Sequence, residues 1–468
     1  MTNPLTAASI EAFSNTLRGT VMTPGDGDYD SARALWNGMI DRHPAIIARC
    51  TGSLDVRHAI NFARENRMLL SVRGGGHHIA GNAAAEGGLM IDLSRMRSVH
   101  VDPASRTARV DPGALLGQVD HETQGFGLAT PLGINSTTGI AGLCLGGGFG
   151  WLTRKHGLTA DNLLSADIVT ADGELHRVSA SQEPDLFWAI SGGGGNFGVV
   201  TSFELQLHPV GPEVYSGLVV YPFDEAGAVL RAWRDFTLNA PDELSVWAIL
   251  RKAPPLPFLP ESIHGKDVVV LAVVYAGDMA EGERTARPLL NFGTPVGQML
   301  TPHSYTAFQA AFDPLLTAGA RNYWKSHNVS RLGDEALDIM IEAAARNPGP
   351  ECEIFIAQLG GAMARVGITE TAYTGRDAQY VMNVHARWQD AADDTVCREW
   401  ARHTFNDMVP HATGGGYVNF LTEDEGERVS AAYGVNYPRL QMLKRRYDPD
   451  NLFRMNLNIV PGIEEAVA

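Results

Sequence analysis

The stretch SVRGGGHHIAG, residues 71–81, sets three consecutive glycines and two histidines directly behind an apolar run. Glycine triplets lose more backbone entropy on folding than any other sequence and make poor helices or strands. Such a loss is tolerated where something must come close to the main chain. Successive N–H groups in tight glycine turns form concavities that hold phosphate oxygens, and Arg73 offers a charge partner beside them.

Glycine is unusually abundant along the whole chain: 50 residues, concentrated at 74–76, 133–150, 192–198 and 414–416. No fixed period separates the clusters, which excludes a repeat array and suggests several loops converging on one large phosphorylated ligand. With 468 residues the chain exceeds one ordinary core, so two domains are expected. A net charge of −16 argues against nucleic acid and against an anionic membrane surface as partners. No apolar run has the length of a membrane span, and the opening stretch lacks a basic region followed by an apolar one, so the expectation is a soluble, cytoplasmic protein. Cys50, Cys144, Cys352 and Cys397 include no C-x-x-C pair, and are read as small core residues rather than disulfides or zinc ligands. The Lys-Arg-Arg run at 444–446 is read as a solvated helix face.

Apolar spacing predicts a helix at 55–66 and a buried strand at 69–74, with a second strand in GLMIDLS. A hairpin turns at Asp102-Pro103 and another at Asp172-Gly173, while ALLGQVDHETQGFG reads as a helix ending on glycine. Residues 199–210 read as one long strand. Beyond Pro212 the strands SGLVVYPF, LSVWAIL, DVVVLAVVYAG, CEIFIAQLGG and AQYVMNVHARW alternate with helical stretches, which predicts an α+β domain whose sheet is covered on one face. From about 405 the glycines return, and NYPRLQMLKRRYDPDNLF reads as a helix stopped by Asp448-Pro449. The predicted organisation is a first domain at 1–210, a second at 211–405, and a return to the first at 406–468.

GGGGNFG matches G-x-G-x-x-G at Gly193, Gly195 and Gly198, the spacing of a dinucleotide fingerprint. That motif should follow a strand and open a helix; here a helix precedes and a strand follows, which counts against a nicotinamide site. His77 and His78 are adjacent, so regular structure would turn them to opposite faces, and no H-x-x-x-H spacing completes a zinc site. No metal is expected.

Four stretches, RGGGHHIAG, GINSTTGIAGLCLGGGFGWLTRKHGLTADN, SGGGGNFGVVTSFELQL and the ending GGYVNFL…YGVNYPRLQMLKRRYDPDNLF, together resemble the berberine bridge enzyme-like flavoproteins of the vanillyl-alcohol oxidase/p-cresol methylhydroxylase (PCMH) superfamily. The resemblance runs in order over nearly the whole chain. It implies an α+β architecture: a bipartite PCMH-type FAD-binding domain made from both chain ends, with an inserted α+β substrate domain built on an antiparallel sheet. It implies a cofactor surface drawn from Arg73, Gly74, Gly75, Gly76, His77, His78 and Gly81, from Gly133, Asn135, Ser136, Thr137, Thr138, Gly139 and Gly142, from Gly198 and Val200, and from Tyr417 and Asn419. His77 matches the family histidine that bonds to the 8α carbon of FAD. Many relatives add a cysteine tether at a position occupied here by Asn135, and Cys144 is nine residues out of register, so a single bond through His77 is expected.

Neither usual catalytic base of the family has an obvious counterpart. Phe420 stands where relatives carry a tyrosine, and the region aligned with a glutamate of the substrate sheet offers Met382 or Asn383. Tyr417, Asn419, Tyr373, Tyr380 and His385 remain as catalytic candidates. The resemblance implies hydride transfer from a small organic substrate to flavin N5. It places Thr138 near flavin C4a, which favours O2 as acceptor with release of hydrogen peroxide. The competing readings are a flavin dehydrogenase using another acceptor, a flavin-binding protein without catalysis, and a nicotinamide dehydrogenase.

Overall fold

A computed structural model describes residues 5–462. The apolar runs near the N-terminus form a four-stranded sheet in which Ile46–Arg49, Leu89–Asp92 and Leu70–Arg73 run parallel and Thr20–Met22 pairs antiparallel at one edge. The parallel strands are buried because the helix Ser53–Glu65 covers them with Val56, Ala59, Ile60 and Ala63, at the spacing that puts one helical face on the core. Both predicted hairpins form, and they join a five-stranded antiparallel sheet around Val199–Gln206. The long strand predicted at 199–210 breaks at Leu207. Its tail, His208–Pro209, pairs instead with Leu128–Ala129.

All strands of the third sheet come from between Glu213 and Trp388. Seven antiparallel strands are ordered Gly297–Ser304, Glu213–Pro222, Asp267–Tyr275, Leu244–Lys252, Glu353–Gln358, Tyr380–Trp388 and Arg321–Val329. Two of them, Gly297–Ser304 and Arg321–Val329, lie outside the strands expected from sequence. The first is an exposed edge with little apolar signal. In the second, RNYWKSHNV, burial on both faces is carried by polar and aromatic residues rather than by aliphatic alternation.

Three helices, Ala226–Thr237, Asp334–Ala345 and Asp394–Met408, cover one face of this sheet and bury Trp233, Leu337, Met340 and Trp400 against it. Strand alternation then decides which residues reach the other face. In Tyr380–Trp388 the even positions Tyr380, Met382 and Val384 join the helix-side core, whereas Val381 and His385 face the glycine-rich loops. Tyr380 donates or accepts at Thr237 Oγ1 over 3.1 Å, inside that helix-side core. Tyr380 is thereby removed from the catalytic candidates, and Met382, one of the two residues aligned with the family glutamate, faces the same core.

The C-terminal residues Val418, Leu421, Tyr433, Leu440, Leu443 and Ile459 pack in the same core as the five-stranded sheet. Lys444 corrects the reading of 444–446 as a solvated face: within the helix Tyr437–Tyr447 its side chain is fully buried. It donates to Asp448 Oδ2 at 2.6 Å and to the carbonyls of Asn196 and Phe453 at 2.8 and 3.1 Å. An isolated buried ammonium is costly, but this one has a carboxylate and two carbonyls around it. The contact pins the 192–198 loop to the chain's end.

Candidate active site

The glycine loops, the C-terminal segment and the open face of the seven-stranded sheet enclose one elongated cleft of about 1690 Å³, its mouth included. One end lies among Gly74–His78, Gly194–Asn196 and Asn456; the other reaches Trp247, Trp324, Phe355 and His385 of the sheet. None of the described lining residues is acidic, which suits a ligand carrying phosphates.

Of the residues expected at a cofactor, Gly74, Gly75, Gly76, His77, His78, Gly133, Asn135, Thr138, Gly139, Gly142, Gly198, Val200, Tyr417 and Asn419 line the cleft. Four others do not. Arg73 sends its guanidinium to the Ala32 carbonyl, away from the cleft. Gly81, at φ +69°, packs against Ile40, whose side chain stands 2.6 Å from where a Cβ would sit. Ser136 turns to Asp313, bonding it through both N–H and hydroxyl. Thr137 lies one step behind the lining and touches His77.

The reason for the glycine triplet also differs from the sequence reading. A Cβ on Gly75 would stand 2.5 Å from the Gly139 nitrogen, and one on Gly139 2.3 Å from the Gly75 nitrogen. Two loops therefore cross backbone to backbone, and glycine is needed for that crossing before any ligand arrives. Gly142 is the contrasting case: exposed to the cleft in the helix Ile140–Leu145, it has no atom within 4 Å of its Cβ position. The room a side chain would take is left open, as a bound cofactor requires.

The two histidines have separate tasks. His78 has both ring nitrogens occupied, Nε2 toward the Val418 carbonyl at 3.3 Å and Nδ1 accepting from Ala80 N at 3.2 Å, so it ties the loop to the C-terminal segment. His77 stacks on Trp36 with ring centroids 4.3 Å apart. Its Nε2 lies 3.4 Å from Thr137 Oγ1, whose hydroxyl is already donated to Asn135 Oδ1 at 2.6 Å. The hydroxyl oxygen is thereby turned to accept from the His77 ring, which also bonds its own backbone. Burial, aided by the nearby Arg387 cation, pushes the His77 pKa down to about 3, keeping the ring neutral. Cys144 faces the opposite way into the core, its thiol pushed up to about 12 by burial.

Among the catalytic candidates the structure separates three situations. Tyr417 is buried, accepts from Gly148 N at 3.1 Å and Asn419 Nδ2 at 3.0 Å, and is pushed up to about 12 by burial, so it is a neutral phenol. Tyr373 lies in the loop before the sheet strand rather than on it, packed against Gly147 and Gly192 and absent from the cleft wall, with its pKa raised by burial. Phe420 stands between Trp324, Phe355 and Tyr417, at centroid distances of 5.5, 6.0 and 4.9 Å. His385, by contrast, lines the cleft, and Nδ1 lies 3.3 Å from Glu353 Oε1. The partner comes from strand register, which sets Glu353 directly across from His385. Glu353 also accepts from Arg251 Nη1 at 2.7 Å. Burial alone would raise its pKa, but Arg251, His385 and Arg387 together hold it below the ordinary range, so it is a carboxylate. His385 Nδ1 therefore donates to that carboxylate and Nε2, which has no protein partner, is the free lone pair. Burial lowers the His385 pKa despite the carboxylate, leaving the imidazole neutral and able to take a proton.

Sequence reasoning named His385 but missed Glu353, having sought a glutamate one strand away. The only local signal was an acidic residue opening an apolar strand, CEIFIAQ, where a partly exposed strand end is the usual reason.

Comparison with known proteins agrees with this geometry. Residues 44–179 match an FAD binding domain, and 416–460 match the berberine and berberine like family. The chain is 31% identical to an FAD-linked oxidoreductase of Dictyostelium discoideum, with 97% of each chain covered. It is also 31% identical to the (R)-6-hydroxynicotine oxidase of Paenarthrobacter nicotinovorans, covering 95% of this chain and 97% of that one. The solved 6-hydroxy-D-nicotine oxidase of Arthrobacter nicotinovorans superposes with a TM-score of 0.86 at 29% identity, over 95% of this chain and 98% of that one. A cleft of crossing glycine loops closed by both chain ends, under an antiparallel sheet bearing a buried His–Glu pair, thus stands in a chain that belongs to the berberine bridge enzyme-like family of FAD-linked oxidoreductases.

Proposed function

We propose that this enzyme holds FAD through a single covalent bond from His77 and works as an oxidase on a small organic substrate. Bound along the glycine loops and Tyr417–Asn419, FAD would supply the hydride acceptor for a substrate C–H bond and the electron pair that reduces O2 to hydrogen peroxide. The chain's own residues supply the rest. His77 offers a neutral ring at the glycine loop, with Nε2 beside the Thr137–Asn135 pair. Asn135 and the inward-facing Cys144 supply no second thiol at the cleft. His385 takes the O–H or N–H proton that the substrate loses beside its oxidised carbon, and Glu353 keeps the proton-accepting Nε2 free and stabilises the imidazolium that results. Thr138 lines the cleft and is proposed to leave O2 access open.

The observation that carries this reading is the pair of imidazoles in one cleft, His77 on the glycine loop and His385, held by Glu353, on the sheet. Acid precipitation followed by peptide mass spectrometry tests the tether. A flavin-mass adduct is expected on the His77 peptide and none on the Cys144 peptide; free FAD in the supernatant defeats the covalent assignment. Peroxide release coupled to substrate oxidation tests the acceptor, and turnover that requires an added dye in place of O2 refutes the oxidase.

A further inference from the structure

Beside His385 a second recess opens into the substrate sheet, enclosing about 720 Å³ with its mouth. It shares Ile134, Trp247, Leu316, Phe355 and His385 with the cofactor cleft, so whatever fills it meets the cleft at the His385 ring. We propose that this recess makes the enzyme specific for an apolar, ring-bearing alcohol or amine and excludes sugars; the assignment rests on the function proposed above.

Strand alternation sets the floor. Val220 and Ile249 each pair with Val270, and Leu218 and Val268 extend the same surface, so neighbouring strands present a continuous aliphatic patch. The wall is aromatic: Trp247 lies 4.4 Å from Trp151 and stacks on Phe355 at 5.9 Å, within 11° of parallel. Such a slot accepts a flat ring. A sugar ring also stacks on an aromatic wall, but its hydroxyls then need polar partners around the rim. Among the described lining residues the charged side chains are Arg251 and Glu353, which bond one another at 2.7 Å with Glu353 further engaged by His385, and the unpartnered polar atoms are few: the single N–H groups of Trp151 and Trp247 and the His385 Nε2. Each hydroxyl buried against Val220, Ile249 or Val270 would lose its hydrogen bonds to water without replacement. The substrate's heteroatom belongs at the His385 end, where its proton is removed, and the ring in the slot.

The test uses the FAD-containing protein under anaerobic conditions. 4-Methoxybenzyl alcohol and N-methyl-tetrahydroisoquinoline are titrated against glucose, cellobiose and xylobiose, following tryptophan fluorescence and the flavin spectrum together. At least one ring probe is expected to bind with a Kd about tenfold or more below that of every sugar. Val270→Phe, which fills the floor, is expected to weaken that probe about tenfold while leaving the flavin spectrum unchanged. Ile249→Asp, which sets a charge in the floor, serves as the second variant. Sugars binding as tightly as the ring probes, or a ring probe indifferent to Val270→Phe and to Ile249→Asp, overturns the specificity while the flavin assignment stands. Protein that carries no FAD, with fluorescence still reporting ring probes in preference to sugars, overturns the function and keeps the recess.

Discussion

Replacing Glu353 by Gln isolates what the buried carboxylate does for His385, because the amide keeps the size and the hydrogen-bond acceptor and removes only the charge. At the 3.3 Å separation, a carboxylate stabilises an adjacent imidazolium by about 5 kcal/mol at an effective dielectric of 20. Only a partial positive charge develops on the imidazole in the transition state, so about half of that is lost in the variant. That loss, about 2.5 kcal/mol, corresponds to roughly seventyfold in rate. Glu353 lines the substrate recess and not the cofactor cleft, so FAD content should be unchanged. The assay is anaerobic rapid mixing with a bound ring substrate, following loss of flavin absorbance. The sign of the pH effect follows from the depressed pKa of His385: the base form is present above that pKa, and activity is lost as pH falls through it, below the ordinary 6.5. Glu353 raises the imidazole pKa, so the variant's acid limb moves to still lower pH. A variant that reduces its flavin within about threefold of the parent rate refutes the base assignment, since a working general base contributes on the order of 10²-fold or more.

Gly142→Leu should uncouple folding from cofactor binding: the helix gains roughly 0.5–1 kcal/mol from losing a glycine, while the side chain enters the open cleft and FAD content falls. Thermal melting and the visible spectrum read the two effects separately. Lys444→Met should destabilise the fold by about 3–5 kcal/mol, because Asp448 stays buried without its cation, and urea unfolding measures it. Acid should weaken the protein above the ordinary carboxylate range. His156 is held near pKa 3 and His327 near 4 by burial, and burial also lowers His78 and His208, so below pH 6.5 the unfolded chain binds protons the folded one refuses. Asp120, raised by burial to about 7, acts in the opposite sense but is one group against these four. The urea midpoint should therefore drop between pH 7 and pH 5, and an unchanged midpoint contradicts the burial of these rings.

The elements nearest the cofactor were legible because their signals are local. The apolar run before RGGG, the glycines themselves and the ordered motifs at 133–150 and 192–198 each constrain the backbone within a few residues, and they led to the cleft and to His77. The reading of their purpose needed the third dimension, since Gly75 is glycine on account of Gly139, 64 positions away in the chain. The strand Arg321–Val329 escaped notice because polar and aromatic side chains fill both of its faces, which erases the alternation that marks a half-buried strand. Lys444 looked like a surface charge because its burial depends on packing against the loop of Asn196, 248 positions away, although its other partners Asp448 and Phe453 are near in the chain.

By itself the sequence determined the architecture, the FAD-type cleft and the loop histidine that stands in it. Only the tertiary structure decided the His385–Glu353 pair, turning Tyr380 into the helix-side core and setting Glu353 across from His385. Strand parity and register are set by pairing between segments, and a shift of one residue would exchange the cleft face for the helix face. That choice is made by packing, where the linear order of residues carries no mark of it.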